Sequence, residues 1–197
     1  INAHDLNDYD GFNKMITYRF TAQLVSTQRL SDHVLEMIVH APQAASKYLP
    51  GQFYRVQNFE TGALKIHDTL LQSEGVALMA APVAGAPERL SFLIFEHGTS
   101  TRLSHTFKLG TPLALMGPSG VHTKIPDTQE TFMMIGGQMA IAHLRATGAA
   151  MKAAGMRVVL VATLESSDDI ICRDTMDSVC DEIVWVVGDV DLSDALR

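Results

Sequence analysis

The sequence predicts a β + α/β chain: a six-stranded antiparallel barrel of Greek-key type, then a parallel α/β half that looks truncated. Three observations predict it. Six or so short apolar runs with turn signals between them fill the stretch from Ile16 to Met116, the pattern of a small barrel. From Thr131 the style changes to strand, Gly136-Gly137, helix, glycine and strand, which in about 35 residues is one βαβ unit. Between them lies VHTKIPDTQE, a polar stretch containing Pro126. The expected units are residues 12–124 for the barrel and 125–197 for the α/β half.

In order, Ile16, Tyr18, Phe20, Ala22 and Leu24 alternate as a half-buried strand does. His33 to Val39 repeats the pattern. Pro50-Gly51 signals a turn into QFYRVQ, where Phe53 and Val56 do not share one face, so a bulge or corner is expected. A polar loop leads to Val76–Val83 and, after AGAPE, to Leu90–Phe95. Thr101–Phe107 suits a short helix. Thr111–Met116 is the last barrel strand and closes at Gly117-Pro118-Ser119-Gly120.

In the second half, Phe132–Ile135 is apolar, and Met139, Ile141, Ala142, Leu144 and Met151 recur at helical spacing. Gly155 stands where a helix stops in a left-handed residue. Val158–Ala162 follows as a strand, Asp174–Cys180 as a helix and Glu182–Val187 as a strand with Trp185 in its core. Asp189–Arg197 starts a further unit. A doubly wound nucleotide domain carries more strands than these, so this half reads as incomplete.

Composition excludes several roles. A net charge of −7 and a pI near 5.5 oppose nucleic acid and anionic membranes. No apolar run nears the roughly 20 residues that span a bilayer. The first residues, INAHDLNDYDGFNK, are polar and acidic, unlike a secretory signal. They lack an initiator Met, so a fragment or processed product is expected. The two cysteines, Cys172 and Cys180, stand eight apart in a predicted helix. They are too few for an iron–sulfur cluster and read as buried or incidental thiols of a reducing cytoplasm. The eight His form no zinc-helix pattern, so no metal ligand and no catalytic acid or base is assigned.

Four stretches in this order, Pro50-Gly51-Gln52-Phe53-Tyr54, Gly98-Thr99-Ser100-Thr101, Gly117-Pro118-Ser119-Gly120 and Gly136-Gly137, resemble the ferredoxin–NADP reductase superfamily. The likeness is nearest to the electron-transfer subunits of dihydroorotate dehydrogenase and of NADH-dependent ferredoxin:NADP oxidoreductase. The reductase-like module of glutamate-synthase-like FAD oxidoreductases is similar too. The resemblance implies FAD on the barrel, NAD(P)H on the α/β half, and hydride passing between them and onward to an iron–sulfur or flavin redox partner. By the same resemblance Gly98, Thr99, Ser100 and Thr101 hold the FAD pyrophosphate. Tyr54, Leu78, Met79 and His97 line the cofactor, and Gly136, Gly137 and Gln138 receive the nucleotide.

The chemistry suits the glycine-hydroxyl stretch, since glycine admits a close approach and hydroxyls donate to an anion. A helix cap at Ser100 or Thr101 explains the same residues. Departures from the family are specific. Met79 stands at the hydroxyl position of the flavin strand. Gln138 and Ala140 replace glycines of the nucleotide turn, where a Cβ crowds a pyrophosphate. His143 takes a place where relatives often have Pro or a small residue. Glu165 suits a ribose hydroxyl or an ordinary solvated loop. Two functions follow: a flavin-dependent electron-transfer module, or a degenerate reductase-like domain without cofactor and with a structural or docking role.

Overall fold

The computed structural model describes residues 18–126 and 129–190. The expected start of the first strand at Ile16, the boundary at residue 12 and the unit begun over 191–197 lie outside them. Two compact units are present: of the described residues, 18–29 and 33–122 form the first, and 30–32 group with those from 123 onward in the second.

The first unit is a closed barrel of β1 (Arg19–Ser31), β2 (Val34–His40), β3 (Phe53–Asn58), β6 (Val76–Val83), β7 (Ala86–Phe95) and β8 (Pro112–Ser119). Their cyclic order is β1-β2-β7-β6-β3-β8, with β1–β8, β2–β7, β3–β6, β3–β8 and β6–β7 paired antiparallel. Closure removes the edges that an open sheet would expose. Alternation sets the inward face: Tyr54 and Val56 of β3, Leu90, Phe92 and Ile94 of β7, and Leu113 and Leu115 of β8 form the core with Met37 and Val39. The bulge expected in QFYRVQ occurs as a register shift between Phe53 and Arg55 opposite β8.

Two short helices serve the barrel. Helix α1 (Pro42–Ala45) buries Ala44; helix α2 (Thr99–Leu103) follows β7. The predicted helix over 101–107 therefore starts two residues early and gives way to a 3-10 turn, Ser104–Thr106. The loop read as polar holds a hairpin of β4 (Leu64–Ile66) and β5 (Thr69–Leu71), turning at His67-Asp68, with His67 at φ 52°. Its residues are almost all exposed, so burial leaves no alternating trace in the sequence.

In the second unit β9 (Thr131–Gly136), β10 (Arg157–Leu164) and β11 (Glu182–Val187) form a parallel sheet in the order β11-β10-β9. Helix α3 (Gln138–Ala153) buries Ile141, Leu144 and Met151 and packs on β9, β10 and helix α4 (Arg173–Val179). It ends as expected at Gly155, φ 81°. There Met156 N–H bonds back to Met151 C=O at 3.1 Å, the Schellman closure. Two expectations need correction. Cys172 and Cys180 flank α4 rather than lie within it, so they do not share a helical face. Trp185 is partly exposed, with the Arg173 guanidinium 5.5 Å from its ring centre.

Candidate functional site

The barrel site is the turn from β7 into α2. Glu96 is fixed by Arg29, whose guanidinium donates to both carboxylate oxygens at 2.7 and 3.2 Å. That contact holds the carboxyl below its usual pKa. The His97 ring lies parallel to Phe95 at 6.5 Å and tilted to His33 at 6.2 Å. At Gly98 the backbone is extended, φ −125°, and α2 begins.

The hydroxyls of the first turn divide in role. Thr101 Oγ1 accepts Gly98 N–H at 3.1 Å and donates to Gly98 C=O at 2.9 Å; it is the cap. Ser100 Oγ accepts the backbone N–H of Glu74 at 3.1 Å. An acceptor hydroxyl keeps its own hydrogen to give elsewhere. A Cβ at Gly98 would meet no atom within 4 Å. Because α2 has only five residues, the macrodipole argument contributes little here.

Three other predicted residues separate by face. Tyr54 is fully buried, with its hydroxyl donated to Ala44 C=O at 2.8 Å. Leu78 is buried as well. Both side chains belong to the barrel core, so neither is offered to a ligand. Met79, the next residue on β6, is half-buried and pairs with Phe53.

The nucleotide turn includes a tertiary contact that the sequence does not announce, made by Gln138. Its Nε2 reaches across the unit to donate to Asp169 C=O at 3.1 Å and Asp169 Oδ1 at 3.3 Å. Asp169 is held in place by Ser166 N–H, which donates to Oδ2 at 3.1 Å. The first residue of α3 is thereby bonded to a carboxylate, and like charge disfavours a second anion beside it. Glu165 lines an open depression of about 380 Å³ at the carboxyl ends of β10 and β11, with Asp189 on its other side. Two acids favour hydroxyls over phosphates there. His143 is half-buried, and burial lowers its pKa.

Sequence reasoning missed Glu74 and Asp169. Ser166-Ser167-Asp168-Asp169 does carry a capping-box signature, and Ser166 is the N-cap of a 3-10 turn over Ser167–Asp169. Glu74 left no signal, since only its backbone is used. Among the described residues no cluster of His, Cys, Asp or Glu could hold a metal, and no helix is long and apolar enough to cross a membrane.

No family model matches the chain. The uncharacterized protein RP006 of Rickettsia prowazekii (strain Madrid E) is 31% identical over 126 residues, 64% of this chain and 17% of that protein. Solved structures align over more of the chain. An NADH-dependent reduced ferredoxin-NADP oxidoreductase has a TM-score of 0.72 at 20% identity, over 89% of this chain and 61% of its own. A ferredoxin reductase of carbazole 1,9a-dioxygenase gives 0.64 at 21% identity, over 87% and 52%. A flavohemoglobin from Malassezia yamatoensis with bound FAD and heme gives 0.66 at 14% identity, over 94% and 52%. The chain thus spans about a sixth of its sequence relative and between half and two thirds of these structures. A six-stranded barrel and a parallel three-stranded unit, matched across such neighbours, make up the ferredoxin–NADP reductase-like fold.

Proposed function

We propose that this chain is a flavin-binding electron-transfer module of a larger oxidoreductase, with FAD held at the Gly98–Thr101 turn. The observation that carries the reading is Gly98. Its φ of −125° suits any residue, and no neighbouring atom would collide with a Cβ. Neither strain nor crowding within the described residues calls for glycine; the close approach of a phosphate does. Ser100, anchored by Glu74 and left with a free hydrogen, is the donor beside it, and His97 and Met79 supply flat and apolar surface.

When bound, FAD supplies the exchange between hydride and single electrons, for an iron–sulfur or flavin partner domain or subunit. The protein's part is to bind, orient and exclude water. Gly98→Val tests it. Flavin uptake, read as the visible absorption of the desalted protein after incubation with FAD, is lost while the melting temperature is unchanged. A native chain that stays colourless in excess FAD refutes the reading.

For the α/β unit, a specific observation favours the second reading, a reductase-like domain in a structural or docking role. Gln138, the first residue of α3, is bonded to the Asp169 carboxylate, and that negative charge opposes a dinucleotide phosphate at Gly136 and Gly137. Rapid bleaching of the flavin-loaded chain by NADH or NADPH without oxygen would overturn that view.

A further inference from the structure

A groove of about 740 Å³ runs beside β1 on the barrel. One wall is residues 19–23 of β1, and the other is residues 40–44, the end of β2 and the start of α1. Gly110 and Pro112 complete it beside Gln23. Side chains of a strand alternate between faces, so a wall of five consecutive residues is the strand's flank, where its backbone groups lie.

The phase of the hydrogen bonds shows which groups face the groove. On its other flank β1 pairs with β8 over residues 19–23. Leu24 N–H donates to Thr111 C=O at 3.0 Å, Leu24 C=O accepts Gly110 N–H at 2.8 Å, and Tyr18 C=O accepts Gly117 N–H at 3.0 Å. Bonding alternates along an antiparallel strand, so Phe20 and Ala22 also turn to β8. Arg19, Thr21 and Gln23 then direct their N–H and C=O groups the other way. β2 lies on that side, joined to β1 by the two-residue turn Asp32-His33. Counting from this turn sets His40 opposite Val25 and Pro42 opposite Gln23. The phase agrees, since Ala41 N–H donates to Glu88 C=O of β7 at 2.9 Å, which turns His40 toward β1. Pro42 has no N–H to give and stands in the first turn of α1. The strand that would cover Thr21 and Arg19 therefore ends where a helix begins, and their outer backbone groups have no strand beside them among the described residues.

We propose that this flank takes an extended, acidic peptide segment of a partner protein as an added strand. Free strand edges are templates for such pairing, and main-chain bonds supply the affinity. Residues 19–23 span about 13 Å, room for about four or five extended residues. Charge selects the acidic sequence: Arg19 and His40 line the groove and no Asp or Glu does. The inference stands apart from the flavin reading, since none of these residues belongs to the Gly98 turn.

Its test is NMR of the ¹⁵N-labelled chain titrated with the peptide acetyl-Val-Thr-Glu-Thr-Val-amide. The backbone amides of Arg19, Thr21 and Gln23 shift saturably and exchange more slowly with solvent. Those of Phe20 and Ala22, already bonded to β8, keep their exchange rates. The same peptide N-methylated at every residue retains its charge, has no amide hydrogen to give and fails to bind. Thr21→Pro removes one N–H from the free flank, where an edge strand tolerates proline, and weakens the peptide about tenfold. Arg19→Gln weakens it about two- to fivefold, as loss of an exposed ion pair implies. Amides unmoved by the peptide, protection without the alternation, binding of the N-methylated peptide, or an unchanged affinity in Arg19→Gln would each overturn the assignment.

Discussion

Ser100 and Thr101 are adjacent hydroxyls with opposite duties, and exchanging each in turn separates ligand binding from capping. Ser100→Ala removes the acceptor for Glu74 N–H, in an exposed position where water replaces it. Stability therefore falls by less than about 1 kcal/mol. The same change removes the hydrogen proposed for a phosphate oxygen, a charged bond of about 1.5–3 kcal/mol. FAD affinity should then drop roughly ten- to a hundredfold. Thr101→Val removes both bonds to Gly98, which costs about 0.5–2 kcal/mol of stability as a lost cap does. Its hydroxyl is already spent on Gly98, so affinity changes less than in Ser100→Ala. Flavin fluorescence titrations read the first quantity and thermal melts the second. If Thr101→Val weakens FAD more than Ser100→Ala does, the division of roles is wrong.

Three further outcomes follow from packing and burial. Gly148 of α3 faces Val179 of α4 so closely that a Cβ would sit 2.9 Å from the valine Cβ and Cγ2. Overpacking of about 1–3 kcal/mol outweighs the roughly 1 kcal/mol gained in helix propensity, so Gly148→Ala lowers the urea midpoint; a rise would show that the helices can part. The His143 pKa lies below its usual 6.5 because burial disfavours the charged ring. The unfolded chain then binds the proton more readily, and stability falls as pH drops below about 6.5. His143→Gln should flatten that fall in urea melts, and an unchanged slope would remove His143 from the account. Burial pushes the Cys180 thiol up to about 11, so a thiol reagent near neutral pH labels it only in step with unfolding, as mass spectrometry of the labelled chain would show.

The barrel was legible because its strands bury one face each, and alternation records that directly: Val76–Val83 is read to the residue. Reading failed where burial is absent. β1 continues to Ser31 through TQRLS, mostly exposed, and the hairpin at 64–71 has strands too short for any period to register. At the candidate site, Gly98 stands out in the chain, but the reason for it does not. That takes the empty space in front of its Cα, which is a tertiary fact. The partners of Gln138 and Asn58 lie 31 and 15 residues away. Nothing local to either side chain announces them.

Three consecutive residues, Gln72, Ser73 and Glu74, join two parts of the barrel. Gln72 and Ser73 are bonded to Asn58 at the mouth of the barrel interior, while Glu74, next along, holds Ser100. The Ser100 hydroxyl is thus tied to the segment that Asn58 holds. If a phosphate binds there as proposed, that tie lowers the entropy lost on binding. By the same linkage, a change inside the barrel at Asn58 should be felt at Ser100 without any side chain in between having to move.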